Sequence, residues 1–113
     1  MRGRNPLQSA PPHAVEQALR RLGADLRVAR LRRRMTLVET AQKIGTGVRA
    51  VADAEKGKAS TGIVVYLGLL WAFGLLSDVG ALADPARDVE GLRLARSREP
   101  SRASKGGGLD NDF

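Results

Sequence analysis

Residues 36 to 57 read TLVETAQKIGTGVRAVADAEKG. Thr36 and Glu39 have the spacing of a capping box, in which each side chain bonds the backbone amide of the other residue at a helix start. Gly45-Thr46-Gly47 has the composition of a tight turn, and Gly57 is the stop signal of a second helix. The stretch therefore predicts two short helices joined by a sharp turn.

Four positions of this stretch are predicted to face inward: Ala41, Ile44, Val51 and Ala54. Ala41 is small where two helices must cross closely, and Val51 and Ala54 lie three residues apart on one face of the second helix. Gly45 can adopt the positive φ that a sharp interhelical turn requires. This order of residues is typical of a helix-turn-helix.

Together with LGADLRVARLRRR before it and EKGKAS after it, this stretch resembles the lambda-repressor-like helix-turn-helix family, also called the Xre family. The matching residues lie between about residues 22 and 76 and are Leu22-Gly23, Leu26-Arg27, Ala29-Arg30, Thr36, Glu39, Ala41, Gly45, Glu55 and Gly57. The resemblance implies an all-α domain of five to six helices with flexible N- and C-terminal tails. It also implies DNA binding, and a framework role for Glu55 at the end of the second helix.

Length and composition favour one compact domain with tails. The chain has 113 residues, of which 42% are hydrophobic, so it can bury a core. We expect a flexible arm over residues 1–12, a DNA-binding domain over 13–84, a helical extension over 85–97 and a disordered tail over 98–113. No apolar run follows the early arginines, so no signal peptide is predicted and a cytoplasmic location is expected.

The charge is unevenly distributed. The net charge is +7, and residues 1–34 hold nine arginines against two acidic residues, whereas residues 35–113 are balanced. Such an excess of positive charge in the N-terminal third of the chain predicts a polyanionic partner, most simply double-stranded DNA. The alternative is a solvated basic face that only keeps the protein soluble.

A long amphipathic helix is predicted from His13 or Ala14 to about Arg33. Apolar residues recur on one side of it at helical spacing, at Leu19, Leu22, Leu26 and Ala29. Gly23 is unfavourable in a helix interior, so the helix is expected to bend there or to restart at Ala24.

A basic stripe is predicted beside the apolar side of this helix. Arg20, Arg27 and Arg34 repeat every seven residues. Arg30 lies one turn from the last two, which places all four arginines on neighbouring positions of one face. We expect this stripe to follow phosphates.

Residues 63–76, IVVYLGLLWAFGLL, are the most apolar stretch of the chain. A membrane span needs about 20 predominantly apolar residues, so a buried helix is predicted instead, capped by Ser60 or Thr61 and stopped by Gly74. A surface helix of one domain is not apolar on every side, so a symmetric homodimer is expected to cover the second side. The expected interface residues are Tyr66, Leu70, Trp71 and Phe73, with the core as the alternative for the last two.

The segment after this helix carries a second resemblance. Ser77-Asp78 predicts a short helix to about Ala83, and residues 86–97 predict a last one. The order LADPARD then GLRLAR, over roughly residues 75–96, resembles the segment after the helix-turn-helix in HipB-type antitoxins. That resemblance implies a HipA-like serine/threonine kinase toxin as a partner.

The sequence contains no catalytic constellation. It has no cysteine and no phosphate-binding glycine loop, and its one histidine, His13, follows two prolines rather than facing a nucleophile. The carboxylate pairs Asp53/Glu55 and Asp110/Asp112 have neither a plausible pocket nor calcium-loop spacing. We therefore predict that the protein is not an enzyme and uses no cofactor or metal.

The predicted DNA contacts follow from the docking of helix-turn-helix proteins, whose second helix presents its N-terminal residues to base edges in the major groove. Arg49 has the fork that reads guanine, and Val48 or Ala50 can touch a thymine methyl. Asp53 can accept from cytosine N4. The predicted DNA-binding set is Arg27, Arg30, Thr36, Gly47, Val48, Arg49, Ala50, Asp53 and Lys56, with Lys58 as a weaker candidate.

Two functions are compatible with these observations. The first is a dimeric transcriptional repressor of its own operon, which the charge asymmetry favours. The second is a protein-binding antitoxin or adaptor that keeps the fold but reads DNA poorly, which the few polar residues on the second helix favour. In the HipB-like family one small protein is expected to have both roles.

Overall fold

The computed structural model describes residues 5–99, and every regular element in this range is a helix. The elements in chain order are α1 (Pro6–Ser9), α2 (His13–Arg32), α3 (Leu37–Ile44), α4 (Val48–Glu55), α5 (Ile63–Ala72), a 3₁₀ helix (Leu76–Ala81) and α6 (Val89–Ser97). The predicted all-α class is confirmed for these residues. The predictions for residues 1–4 and 100–113 lie outside the described range.

The described chain divides after Ser77 into two compact units, called here the N-terminal unit and the C-terminal unit. Helices α1 to α5 belong to the N-terminal unit, and α6 belongs to the C-terminal unit. The domain boundaries expected at residues 12, 84 and 97 stay predictions.

One turn of helix, α1, occupies part of the segment that was expected to be a flexible arm. The side chain of Asn5 accepts a hydrogen bond from the amide of Leu7 at 2.9 Å, which caps the helix. Pro6 suits the first helical position because its missing N–H would have no partner there. The local sequence therefore supplies both a cap and a favourable first residue for this turn.

Helix α2 runs without interruption through Gly23, which the sequence suggested as a bend or a restart. Gly23 is buried, and a Cβ atom at this position would lie 2.4 Å from the carbonyl oxygen of Ala54 and 2.7 Å from the amide nitrogen of Gly57. The missing side chain lets α2 pass directly against the end of α4. The glycine is therefore a packing residue.

The connection between α3 and α4 has the predicted geometry. Thr36 caps α3 with both bonds of the capping box: its hydroxyl accepts from the amide of Glu39 at 3.0 Å, and the Glu39 carboxylate accepts from the amide of Thr36 at 2.8 Å. Gly45 ends α3 with φ 80°, and Gly57 follows α4 with φ 71°. Both glycines adopt the left-handed conformation that side chains disfavour.

The core of the N-terminal unit lies between α2, α3, α4 and α5. Its buried apolar side chains are Leu26, Ala29, Ala41, Val51, Ala54, Tyr66, Leu69 and Phe73. The predicted inward positions Ala41, Val51 and Ala54 are confirmed, and Ile44 packs against this core in a half-buried position. Thr40 is also fully buried, and its hydroxyl donates to the carbonyl oxygen of Thr36 at 2.9 Å.

Helix α5 begins differently from the prediction. Its N-cap is Gly62, with no side-chain capping bond, so the expected cap at Ser60 or Thr61 is wrong. The amide of Thr61 instead bonds the carbonyl of Lys58 at 3.2 Å in the preceding turn. The expected stop is confirmed, since Gly74 follows α5 with φ 74°. With ten residues in α5, no helix between residues 5 and 99 is long and apolar enough to cross a membrane.

The described part of the C-terminal unit has no buried residue. The short helix expected after Ser77 is a 3₁₀ helix that begins at Leu76. Helix α6 begins at Val89, where the side chain of Asp88 accepts from the amide of Gly91 at 2.9 Å. This cap sets the helix start three residues later than the predicted segment began.

Candidate nucleic-acid interface

Arg30 is a framework residue and not a surface contact. Its Nε lies 2.6 Å from Oε2 of Glu55, and its Nη2 lies 3.1 Å from Oε1 of the same carboxylate. Its Nη1 donates to the carbonyl oxygen of Met35 at 2.8 Å, and the residue is 7% exposed. The Glu55 carboxylate raises the pKa of Arg30 above its ordinary value. The prediction that Arg30 contacts DNA is therefore wrong. Glu55 joins the end of α4 to α2 through this pair, which is a framework position.

The predicted basic stripe on α2 is interrupted at three of its four positions. Arg30 is buried, and Arg20 pairs with Glu16 at 3.3 Å one turn away. Arg34 lies beyond the end of α2 with φ 54°, so the helical spacing does not extend to it. Only Arg27 remains on the helix as an exposed member without such a pairing.

Arg33, which directly follows α2, is bonded to two backbone carbonyl groups of core residues. Nη1 of Arg33 donates to the carbonyl oxygen of Ala29 at 2.8 Å, and Nη2 donates to that of Phe73 at 2.9 Å. The guanidinium lies 5.3 Å from the centroid of the Phe73 ring, within cation–π range. Arg33 therefore joins the end of α2 to the end of α5.

The lysines and arginines of residues 5–77 that neither form an ion pair, as Arg21 does with Asp25 at 3.4 Å, nor bond to the core form the exposed basic set. These are Arg27, Arg32, Arg34, Lys43, Arg49 and Lys56, which are exposed and form no ion pair within residues 5–99. Arg49 and Lys56 lie seven residues apart, at the start of α4 and just after its end, which places them on the same side of that helix. One positive charge therefore stands at each end of α4 on that side, with Asp53 between them.

The start of α4 presents few side chains that can reach a ligand. Gly47 is the N-cap and has no side chain, and Val48 is 40% exposed. Arg49 is exposed, whereas Ala50 is half-buried. The first amides of α4 have no partner within the helix and carry the positive end of its dipole. The predicted residues Val48 and Arg49 are therefore accessible, and Ala50 is less so.

Asp53 is engaged within the protein. Its Oδ1 lies 3.3 Å from Nζ of Lys58, and both residues are near the end of α4. The carboxylate is thus turned toward a lysine of the same segment. Lys58, the weaker of the predicted contacts, is exposed but takes part in this pair, whereas Lys56 is exposed and has no ion pair within residues 5–99.

Thr36 lies at the start of α3 and is exposed. Its hydroxyl oxygen accepts the capping bond from Glu39, but a hydroxyl group can accept and donate at the same time. Its proton can therefore be donated outward to an anion without loss of the cap.

Two of the four residues predicted for a dimer interface belong to the core. Tyr66 is 3% exposed and donates its hydroxyl hydrogen to the carbonyl of Lys58 at 2.8 Å, and Phe73 is 5% exposed. Burial raises the pKa of the Tyr66 phenol above its ordinary value. Leu70 is half-buried against the core, and only Trp71 is exposed. The assignment of Tyr66 to an interface is therefore wrong for the folded protomer, and for Phe73 the alternative of a core position is confirmed.

The exposed apolar surface of α5 combines Trp71, which was predicted for an interface, with Ile63 and Val64, which were not. Ile63, Val64 and Trp71 are 72%, 74% and 58% exposed. Val64, Leu67 and Trp71 follow the i, i+3, i+7 spacing of one helix face, and this set with Ile63 is called here the α5 stripe. Helical periodicity alone does not distinguish this stripe from the core face, because Tyr66, Leu69 and Phe73 follow the same spacing on the other side of an equally apolar helix.

Within residues 5–99 no group of three or more histidine, aspartate or glutamate side chains is placed to hold a metal ion. Comparison with known proteins gave no match to a family model, a curated protein or a solved structure.

Proposed function

We propose that this protein is a DNA-binding transcriptional regulator with a lambda-repressor-like helix-turn-helix, formed by α3, the turn and α4. In this proposal it acts as a homodimer that represses its own operon. It also serves as the antitoxin of a HipA-like kinase toxin, a role that rests on the resemblance of residues 75–96 to HipB-type antitoxins.

The observation that carries the proposal is the arrangement around α4. Arg49 lies at the exposed start of this helix and Lys56 just after its end, on the same side. The side chain of Arg49 can bond guanine O6 and N7 through two N–H groups, and Lys56 can bond a phosphate. Thr36 at the start of α3 adds a hydroxyl donor for the backbone.

The exposed basic set predicts that phosphates supply most of the affinity. Its six cations are exposed and free of ion pairs within the described residues, so they can release counterions on binding. Only Arg49 among them stands at the start of α4, where base edges are read. Binding is therefore expected to depend steeply on salt and to discriminate modestly in each half-site.

The α5 stripe supports a homodimer. Ile63, Val64 and Trp71 are largely exposed, and a contiguous apolar surface of this kind marks an interaction site. A second copy can cover it with the same surface through a two-fold axis. Two-fold symmetry would also double the few base contacts of each protomer by pairing two half-sites.

The alternative function is a protein-binding adaptor that reads DNA poorly. Two observations favour it: Asp53 is paired with Lys58, and Gly47 and Ala50 cannot form side-chain hydrogen bonds with a base. In this alternative the α5 stripe contacts the partner protein.

Fluorescence anisotropy with labelled duplexes distinguishes the DNA-binding regulator from the protein-binding adaptor. The purified protein is titrated with the DNA upstream of its own gene and with a scrambled duplex of equal composition, over a series of salt concentrations. A regulator binds its upstream DNA at least about a thousandfold more tightly than the scrambled duplex. Equal affinity for both, or no binding at moderate salt, would support the adaptor.

A further inference from the structure

The outward side of α2 carries a short apolar seam. Ala24, Val28 and Leu31 follow the i, i+4, i+7 spacing of one helix face, and these three residues are called here the α2 seam. All three are exposed, Val28 by 44% and Leu31 by 46%. The core face of the same helix is formed by other residues, among them Leu26 and Ala29. The α2 seam also shares no residue with α4 or with the α5 stripe.

An open cleft adjoins the α2 seam. It has a volume of about 460 Å³ and is lined by Asp25, Val28, Ala29, Arg32, Arg33 and Leu75. Leu75 follows α5 and is 45% exposed, so it adds an apolar surface to that of Val28. Arg33 is held in place by its hydrogen bonds to the carbonyl oxygens of Ala29 and Phe73. The cleft is therefore formed before any partner binds, and it can receive an apolar side chain.

Arginines border the α2 seam on both sides. Arg27 immediately precedes Val28, and Arg32 immediately follows Leu31, which are the two positions that flank the apolar seam of a coiled coil. Both arginines are exposed, and neither forms an ion pair in the described part of the chain. The acidic residue beside the seam, Asp25, is paired with an arginine of its own helix at 3.4 Å. The charges available to a partner are therefore positive.

We propose that the α2 seam binds an acidic amphipathic helix of a partner protein. The apolar side chains of that helix pack against Val28, Leu31 and the cleft, and its carboxylates pair with Arg27 and Arg32. Charges at the flanking positions of two paired helices determine which partner is accepted. The inference does not rest on the proposed DNA binding.

The flanking charges disfavour a second copy of α2 as the occupant. In a parallel pair, Arg27 of one copy would face Arg32 of the other, and in an antiparallel pair each arginine would face its own counterpart. Such like-charge contacts are a means of rejecting a partner. A nucleic-acid backbone would pair with the arginines but would leave the apolar seam without a matching surface. An acidic amphipathic helix matches both the arginines and the seam.

The experiment uses the full chain and a displayed library of helical peptides of three heptads. The outward positions of the peptides are fixed as good helix formers, and the seam and flanking positions vary among apolar, acidic, basic and neutral polar residues. Peptides are selected on the unmodified protein and counter-selected on Val28→Gln, which removes an apolar contact without adding a charge. Val15→Gln is the matched control, because Val15 is 42% exposed on another face of α2.

We expect the selected peptides to be acidic at their flanking positions. In anisotropy titrations, Val28→Gln should weaken the tightest peptide by about tenfold or more, and Val15→Gln should leave its affinity unchanged. The double variant Arg27→Glu/Arg32→Glu should also bind about tenfold more weakly. Replacement of the flanking carboxylates of the peptide by lysines should restore its binding to this double variant. Urea denaturation of each variant verifies that the fold is retained.

Three results would overturn the inference. The first is a selection that yields no peptide sensitive to Val28→Gln. The second is a set of sensitive peptides without acidic flanking residues, or one that binds the arginine double variant with full affinity. The third is dissociation of the homodimer by Val28→Gln in sedimentation equilibrium, which would assign the α2 seam to a second copy. None of these readouts involves DNA, so a failure of the proposed repressor function is distinguished from a failure of this inference.

Discussion

The side chain of Arg30 on α2 is joined to that of Glu55 at the end of α4 by two hydrogen bonds, of 2.6 and 3.1 Å. The two side chains are 9% and 7% exposed. A third bond, from Arg30 to the carbonyl of Met35, fixes the segment that precedes α3. One arginine therefore connects α2, the start of α3 and the end of α4.

Replacement of Arg30 by Ala is expected to destabilise the fold by about 3–5 kcal/mol, because it leaves the Glu55 carboxylate buried without its partner. Urea denaturation followed by circular dichroism measures the change. Arg27→Ala is the matched control, three residues away on the exposed side of the same helix, and should change stability by less than about 0.5 kcal/mol. Similar stabilities for the two variants would show that the ion pair is not a framework element.

Gly23→Ala should be destabilising by about 1–3 kcal/mol or more, although the same change in an open helix position is stabilising by about 0.5–1 kcal/mol. The reason is the backbone of α4, with the carbonyl oxygen of Ala54 only 2.4 Å from the new Cβ position. Gly68→Ala provides a control of opposite sign, since the nearest atom there is Cδ1 of Ile44 at an ordinary 3.5 Å. Thermal unfolding of both variants tests the prediction, and a stabilising Gly23→Ala would contradict it.

Val64→Glu and Trp71→Ala are expected to shift the proposed homodimer toward the monomer, at a cost of about 2 kcal/mol or more in association free energy. Both residues are exposed in the protomer, so the circular dichroism spectrum should keep its helical signal. Sedimentation equilibrium measures the dimer constant. Leu82→Glu is the control, because Leu82 is an apolar residue of the C-terminal unit and is 80% exposed, no less than Val64 or Trp71. A purely monomeric unmodified protein would argue against the dimer.

Arg49→Ala and Lys56→Ala should weaken DNA binding in different ways. Loss of Arg49 is expected to cost about 1–3 kcal/mol on the preferred sequence and much less on scrambled DNA, because it removes a base contact. Loss of Lys56 should weaken both equally and lower the salt slope by about 1, because it removes a phosphate contact. The anisotropy titrations above supply both quantities. An equal loss of affinity on both duplexes for Arg49→Ala would remove it from the base-reading role.

Tyr66→Phe removes the hydrogen bond to the carbonyl of Lys58 and should be destabilising by about 0.5–1.5 kcal/mol near neutral pH. Burial raises the pKa of Tyr66 in the folded state, so its contribution is present below the ordinary tyrosine pKa of about 10 and is lost as the pH rises through the folded value. The difference in unfolding free energy between the two proteins should therefore shrink above about pH 10. Urea titrations between neutral and strongly alkaline pH measure it, and a difference that is constant over that range would contradict the expectation.

The helix ends on either side of the α3–α4 turn were predictable because their causes are local. The capping box of Thr36 and the left-handed glycines Gly45, Gly57 and Gly74 act over a few residues. The start of α5 was not predictable in this way, because Ser60 and Thr61 are both reasonable caps by residue type and the turn that begins at Lys58 occupies the amide of Thr61. The accessibility of the candidate site was partly predictable. Val48, Arg49 and Lys56 are exposed because they lie on other faces of α4 than its buried residues, Val51 and Ala54.

The sequence by itself determined the helical class of the described chain, the α3–α4 turn and the inward residues of these two helices. These features depend on hydrogen bonds and side-chain periodicity within about four residues. Only the tertiary structure decided which arginines remain free, because Arg30 finds its carboxylate 25 residues away and Arg33 finds its carbonyl 40 residues away. The same holds for Gly23, whose role depends on the backbone of α4, and for the aromatic residues of α5, whose burial depends on which face meets α2 to α4. The burial and bonding of these residues depend on packing between segments that are far apart in sequence, and no local sequence pattern encodes that packing.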